Sequence, residues 1–248
     1  MPHFFINSFD VSDNLITISD DSNYNHIARS LRAKCGEPLL LIDENFIQYE
    51  TIIKSISKSQ IVASIIKSYK SNRTLDINIY LAQSPLRSDA QSFVVEKATE
   101  LGVRGIFPIL TDNCALNKSV VENKISKWQR VMYEASKQCE RADIPKCYDA
   151  VNLEELLKSD KFDYVIAFCE RIATNKLKDI LDENIFKNNS NILIIVGPEG
   201  GFSDREFRLF KDSNIHMLTL GDLILKAETA VTVALGNVIY EYNNSRIN

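Results

Sequence analysis

The chain has 248 residues, 45% of them hydrophobic and 25% charged, with a formal net charge of −4. That is enough apolar material for a real core and excludes a protein coated in positive charge, though not one with a local basic patch. No apolar run reaches membrane-spanning length, and "MPHFFINSFD" lacks a basic stretch followed by an apolar one, so the expectation is a soluble, cytoplasmic chain.

The first 70 residues read as short strands, at 4–6, 15–18, 39–42, 46–56 and 60–67. So many in so little chain predict a small β-barrel domain. One helix, 24–33, interrupts them. Its Ile27 and Leu31 form a docking face, while His26, Arg29 and Arg32 recur every third residue on a separate arc. Displayed in that way, the three are candidates for reading a nucleic-acid phosphate backbone; a plain solvated face is the alternative. "SYKSNRT" (68–74) is polar and unpatterned, so the boundary falls there, between domains 1–70 and 71–248.

Strands at 77–82, 105–110, 164–168, 192–196 and 216–220 then alternate with helices at 89–101, 122–141, 153–159, 174–183, 204–212 and 228–242. This is the pattern of an α/β domain with a mainly parallel sheet covered by helices. The first of these helices opens on Ser88 and Gln91 in capping-box register and closes on Gly102; Lys97 and Glu100 make an exposed pair. The second carries a core stripe of Trp128, Val131, Met132, Ala135 and Cys139. A separate polar stripe, Glu134, Gln138 and Arg141, is either a solvated face or part of a site.

The most informative stretch is "VGPEGGFSDREF" (196–207). A chain with eight glycines places three of them within five residues, directly after the apolar strand "NILIIV". Ser203 and Glu206 follow as a capping box, so the local reading is strand, glycine loop, helix. The loop has neither GxxxxGK[ST] nor GxGxxG spacing. Pro198 removes a backbone donor and Glu199 adds negative charge, both unsuited to phosphate. A second glycine turn, in "LTLGDLILKAETAVTVALGNVIYEY", leads into a helix whose buried stripe is Val231, Ala234, Leu235, Val238 and Tyr242. Glu228 and Thr229 stand at its start, where helix capping alone accounts for them. Both glycine turns follow sheet strands, the end at which open α/β sheets bind ligands. A cationic ligand bearing an adenine, held by backbone contacts, suits such loops better than a phosphate. Cys35, Cys114, Cys139, Cys147 and Cys169 form no CxxC pair, and His3, His26 and His216 lack metal-ligand spacing, so free thiols and no metal are expected.

Four segments, "EKATELGV" (96–103), "EASKQCERADIP" (134–145), "GPEGGFS" (197–203) and "LGDLILKAETA" (220–230), together with "HIARSLR" (26–32), resemble the RsmE family across essentially the whole chain. These are bacterial small-subunit rRNA (uracil-N3)-methyltransferases of the SPOUT superfamily. The resemblance implies a PUA-like RNA-binding barrel, then a SPOUT-type parallel sheet with a C-terminal trefoil knot, working as a homodimer on 16S ribosomal RNA within the small ribosomal subunit. It implies S-adenosylmethionine held by Val196, Gly197, Pro198, Glu199, Gly200 and Gly201 on one loop. Leu220, Gly221, Ile224, Leu225, Thr229 and Ala230 would hold it on the other. Arg141 and Lys226 are the candidates for charge stabilisation, Glu228 for the base, and His26, Arg29 and Arg32 for RNA. Three positions depart from the family pattern: Lys226 and His3 stand where arginine is usual, and Cys139 where serine is. A SPOUT enzyme acting on another RNA and a non-catalytic RNA-binding factor are the alternatives.

Overall fold

The computed structural model describes residues 3–170, 172–181 and 185–245, all but the side chain of Ser88. The chain divides into two units, Met1–Thr74 with Ser136–Asp143, and Leu75–Ala135 with Ile144–Asn248.

In the first unit, strands β1 (His3–Phe5), β2 (Val11–Ser12), β3 (Leu15–Ile18), β4 (Pro38–Ile42), β5 (Ile47–Ile56) and β6 (Ile61–Lys70) form one mixed sheet in the order β1-β4-β5-β6-β3-β2. Strand β1 runs parallel to β4, and the other pairs are antiparallel. Two register shifts between β5 and β6 mark bulges, which bend a sheet and increase its twist. Phe4, Ile16, Ile18, Ile27, Leu41 and Ile61 fill the core.

The expected helix at 24–33 takes another shape. Asp20 caps helix α1 (Asp21–Tyr24), which continues as a π-helical segment, Asn25–Ser30, closed by Leu31 N–H donating to His26 O at 2.9 Å. Arg32 follows in the left-handed region, with φ 53°. The wider turn breaks the even spacing, so His26, Arg29 and Arg32 do not share a helical arc. Leu31 is 49% exposed and Ile27 alone docks, because the π-turn rotates Leu31 off the apolar face.

The second unit contains β7 (Asn78–Gln83), α2 (Ser88–Glu100), β8 (Gly105–Leu110) and most of α3 (Lys118–Gln138). Short strands β9 (Lys146–Cys147) and β10 (Val151–Asn152) and helix α4 (Leu153–Leu157) come next. Then follow β11 (Tyr164–Phe168), β12 (Asn191–Val196), α5 (Asp204–Asp212), β13 (His216–Leu218) and α6 (Ala227–Ser245). The sheet is parallel throughout, in the order β10-β8-β7-β12-β11-β13, with β9 also on β8. Its centre is buried on both faces. Ile192, Ile194 and Val196 enter one core and Leu193 and Ile195 the other, which is why "NILIIV" is apolar without alternation.

Several boundaries move. Arg87, not Ser88, is the N-cap of α2, and Gln91 Oε1 accepts from Leu86 N–H at 2.7 Å instead of closing a capping box. Helix α3 stops at Gln138 and Glu140 turns with φ 59°, so Arg141 lies off the helix that was to carry the polar stripe. The helix expected at 174–183 is reduced to one 3-10 turn, Leu177–Asp179, where Asp179 accepts from Lys176 N–H at 2.7 Å. Residues 182 and 183 of that segment lie outside the described residues. No helix is long and apolar enough to cross a membrane among the described residues.

Candidate functional site

Strands β12, β11 and β13 are neighbours, so the loops leaving their C-terminal ends converge. They surround a cavity of about 770 Å³, a size suited to a small-molecule ligand. Of the residues assigned to a cofactor, Val196, Gly197, Pro198, Glu199, Gly200, Gly201, Ile224, Leu225 and Ala230 line it; Leu220, Gly221 and Thr229 do not. Lys226 and Glu228 are also on its wall. Arg141 is not: it is buried in the first unit, where Nε and Nη2 each donate to the Asp143 carboxylate at 3.0 Å. Sequence reasoning missed Phe168, the last residue of β11, and Cys169, Glu170 and Ile172, from the loop after it. That loop has no glycine, and only its place after the strand "YVIAF" signals it.

The glycines serve different ends. A Cβ on Gly197 would stand 3.1 Å from the Phe202 ring, and one on Gly200 would stand 3.1 Å from Asn113 Cβ. At these two positions the close approach is to the protein itself. Gly201 (φ 71°) and Gly221 (φ 139°) face open space and are glycine because of their backbone angles. Gly201 N–H donates to Pro198 O at 2.9 Å, closing a tight turn.

A second loop, after β8, braces this turn. Asn113 Nδ2 donates to Gly201 O at 3.0 Å. The fully buried Glu206 accepts from Asp112 N–H at 2.9 Å and Ser203 N–H at 2.8 Å, so the expected capping box also fastens the β8 loop. Ser203 and Arg205 in turn donate to the Asp112 carboxylate.

Among the described residues the wall carries four carboxylates, Glu170, Glu199, Asp204 and Glu228, against one cation, Lys226. Such a wall repels phosphate and favours a cationic ligand. Burial, reinforced by the Glu170 charge, pushes the Cys169 thiol up to about 12, so it is no nucleophile at neutral pH. Lys226 is exposed and forms no ion pair among the described residues. Ile224 is 71% exposed at the rim.

The residues assigned to RNA lie in the first unit. Arg29 and Arg32 are exposed, Arg29 resting 6.0 Å from the Tyr24 ring centre. His26 is engaged internally: buried Lys137 places Nζ 2.9 Å from its Nδ1, and Phe4 meets its ring edge-on.

Residues 73–239 match the family model described as an RNA methyltransferase domain. The ribosomal RNA small subunit methyltransferase E of Mesomycoplasma hyopneumoniae (strain 232) is 30% identical, over 96% of this chain and 99% of its own. The structure of a putative methyltransferase from Legionella pneumophila in complex with the bound cofactor SAM has a TM-score of 0.84 at 26% identity, with 96% of each chain covered. A ribosomal RNA small subunit methyltransferase E from Neisseria gonorrhoeae, solved with S-adenosyl methionine, shares the fold with a TM-score of 0.83 at 24% identity, covering 97% of this chain and 98% of its own. The parallel α/β sheet and these matches define the class of RNA methyltransferases. Within it, the chain belongs to the ribosomal RNA small subunit methyltransferase E family.

Proposed function

We propose that the chain transfers a methyl group from S-adenosylmethionine to N3 of a uridine in 16S ribosomal RNA of the small subunit. The observation that carries this reading is the cavity walled by the glycine turn at 197–201, by residues 224–228 and by an excess of carboxylates, in a chain of this family. The wall fits the cofactor: apolar Ile224 and Leu225 suit the adenine, and the carboxylates suit a ligand with a sulfonium and an ammonium. The cofactor supplies a methyl group on a positively charged sulfur, which keeps the C–S electron pair when the methyl leaves.

What the protein adds is alignment and charge. Glu228, in the first turn of α6, accepts the N3 proton. Lys226 stabilises the negative charge that then develops on the uracil oxygens. Arg141, held by Asp143, has no step in this scheme. The same reading takes the first unit as a PUA-like barrel that binds RNA through Arg29 and Arg32. It also includes a C-terminal trefoil knot and a cytoplasmic homodimer; the family resemblance supports these.

The test is to incubate small-subunit RNA from cells lacking the protein with labelled cofactor, then identify the modified nucleoside by mass spectrometry. N3-methyluridine is expected. A methylated ribose, or label in transfer RNA alone, would move the substrate; cofactor binding without transfer would favour a non-catalytic RNA-binding factor.

A further inference from the structure

The cavity lies at the C-terminal ends of the parallel strands, and a helix from each face of the sheet reaches its wall. On one face, α2 packs with α6 in the core that holds Ile192 and Ile194, and its Ala90 lines the cavity. On the other, α5 packs Phe207 and Phe210 in the core that holds Leu193 and Ile195, and its Asp204 and Phe207 line the cavity. Each helix carries an exposed arginine beside these residues. Arg87, the N-cap of α2, stands within one turn of Ala90. Its loop is fixed: Ser84 N–H donates to Val196 O at 3.2 Å, and Leu86 N–H to Gln91 Oε1 at 2.7 Å. Arg208 follows Phe207 directly and lies four residues after Asp204, on the same face of α5. Neither Arg87 nor Arg208 forms an ion pair among the described residues. Arg205, on the same helix as Arg208, is instead tied to Asp112 and Glu154.

An RNA strand that brings a base to this cavity meets an acidic wall, which repels its phosphates. Positive charge beside the cavity, on both faces of the sheet, offsets that repulsion and orients the strand. Arginine suits the task, because its guanidinium fork can donate two hydrogen bonds to one phosphate. We infer that Arg87 and Arg208 hold phosphates of the RNA strand on opposite sides of the target nucleotide, and so position it for methyl transfer. The inference rests on the reading of the cavity as the S-adenosylmethionine site.

The test compares the full chain with Arg87→Ala, Arg208→Ala and the double variant, on small-subunit RNA from cells lacking the protein. Arg87 gives α2 no side-chain cap and Arg208 is exposed, so alanine should leave melting temperature and S-adenosylmethionine affinity as in the parent. Each single variant should raise KM for the RNA about tenfold at equal salt, with kcat at saturating RNA nearly unchanged. Each should also lower the salt slope of RNA binding by roughly 0.7–0.9, and the double variant by about twice that. Lysine at either position should keep the slope of the parent, since it keeps the charge. A double variant with the parent's KM and slope makes both arginines ordinary solvated groups and overturns the inference. So does a loss of cofactor affinity that matches the loss of RNA binding. An effect confined to one arginine overturns the placement of RNA on both sides. A parent that binds no S-adenosylmethionine overturns the cofactor reading as well, whereas cofactor binding with unchanged RNA behaviour in the variants overturns this inference alone.

Discussion

Asn113 Cβ stands 3.1 Å from the point where a side chain on Gly200 would begin, and the same asparagine donates to Gly201 O at 3.0 Å. The glycine turn is therefore gripped from behind by the loop after β8, 87 residues earlier in the chain. Its shape is held by protein contacts before any ligand arrives.

Gly200→Ala should accordingly weaken cofactor binding by disturbing the grip, and Gly200→Val should weaken it further. The close approach predicts a specific non-additivity. With Asn113→Gly in the background, Gly200→Ala should cost little more, because the crowding atom is gone. Cofactor titration of the four proteins checks this; strictly additive losses would show that Asn113 is not what requires the glycine.

Acid should loosen the same brace. Hydrogen bonds from Arg205, then Ser203, hold the Asp112 carboxyl below its ordinary value of 3.8. A carboxylate with a depressed folded pKa contributes stability that is complete above the unfolded value and is lost as pH falls through the folded one. The melting-temperature gap between parent and Asp112→Asn should therefore be widest at neutral pH and close below about pH 4. The pair is exposed, so the gap should not exceed about 2–4 °C. A gap that widens in acid would contradict the assignment.

Lys226→Ala should lower the single-turnover methylation rate by about 100-fold or more while leaving cofactor affinity nearly unchanged. Lys226→Arg should retain most of the rate, since it keeps the charge. Lys226 has no ion pair with Glu228, so neither variant should melt early. A stable alanine variant with a normal rate removes the lysine from the chemistry.

Arg29→Ala combined with Arg32→Ala should weaken RNA binding without touching cofactor affinity. Both arginines are exposed, and Arg32 is already in the left-handed region, so alanine adds no new backbone strain there. Each phosphate that the double variant no longer neutralises should reduce the salt slope by roughly 0.7–0.9. Salt titration of RNA binding measures it, and an unchanged slope would place the RNA elsewhere.

Local patterns were legible in the sequence where short-range chemistry decides the structure. Helix α5 begins at the expected residue because Ser203 and Glu206 cap it, and "NILIIV" reads as an apolar strand, which the structure buries on both faces. Interactions between residues distant in sequence were not legible. Nothing in "TDNCA" announces that Asp112 and Asn113 brace the glycine turn, and Glu170 follows an ordinary strand. The π-helical segment at 25–30 defeats any reading that assumes 3.6 residues per turn, so the arc of His26, Arg29 and Arg32 was drawn on the wrong helix.

The eight residues Ser136–Asp143 belong with the first unit although more than sixty residues separate them from Thr74. They bring Lys137 to His26, and Ala142 N–H to Arg73 O at 3.1 Å. A ribosome making this chain must therefore extend it past residue 143 before the first unit can close, by which time β7, α2 and β8 have already emerged. Synthesis from the N-terminus cannot complete the two units in turn. For the same reason, a fragment cut at Thr74 would be a poor stand-alone module: it would leave His26 without its lysine and Arg73 O without the N–H that closes on it.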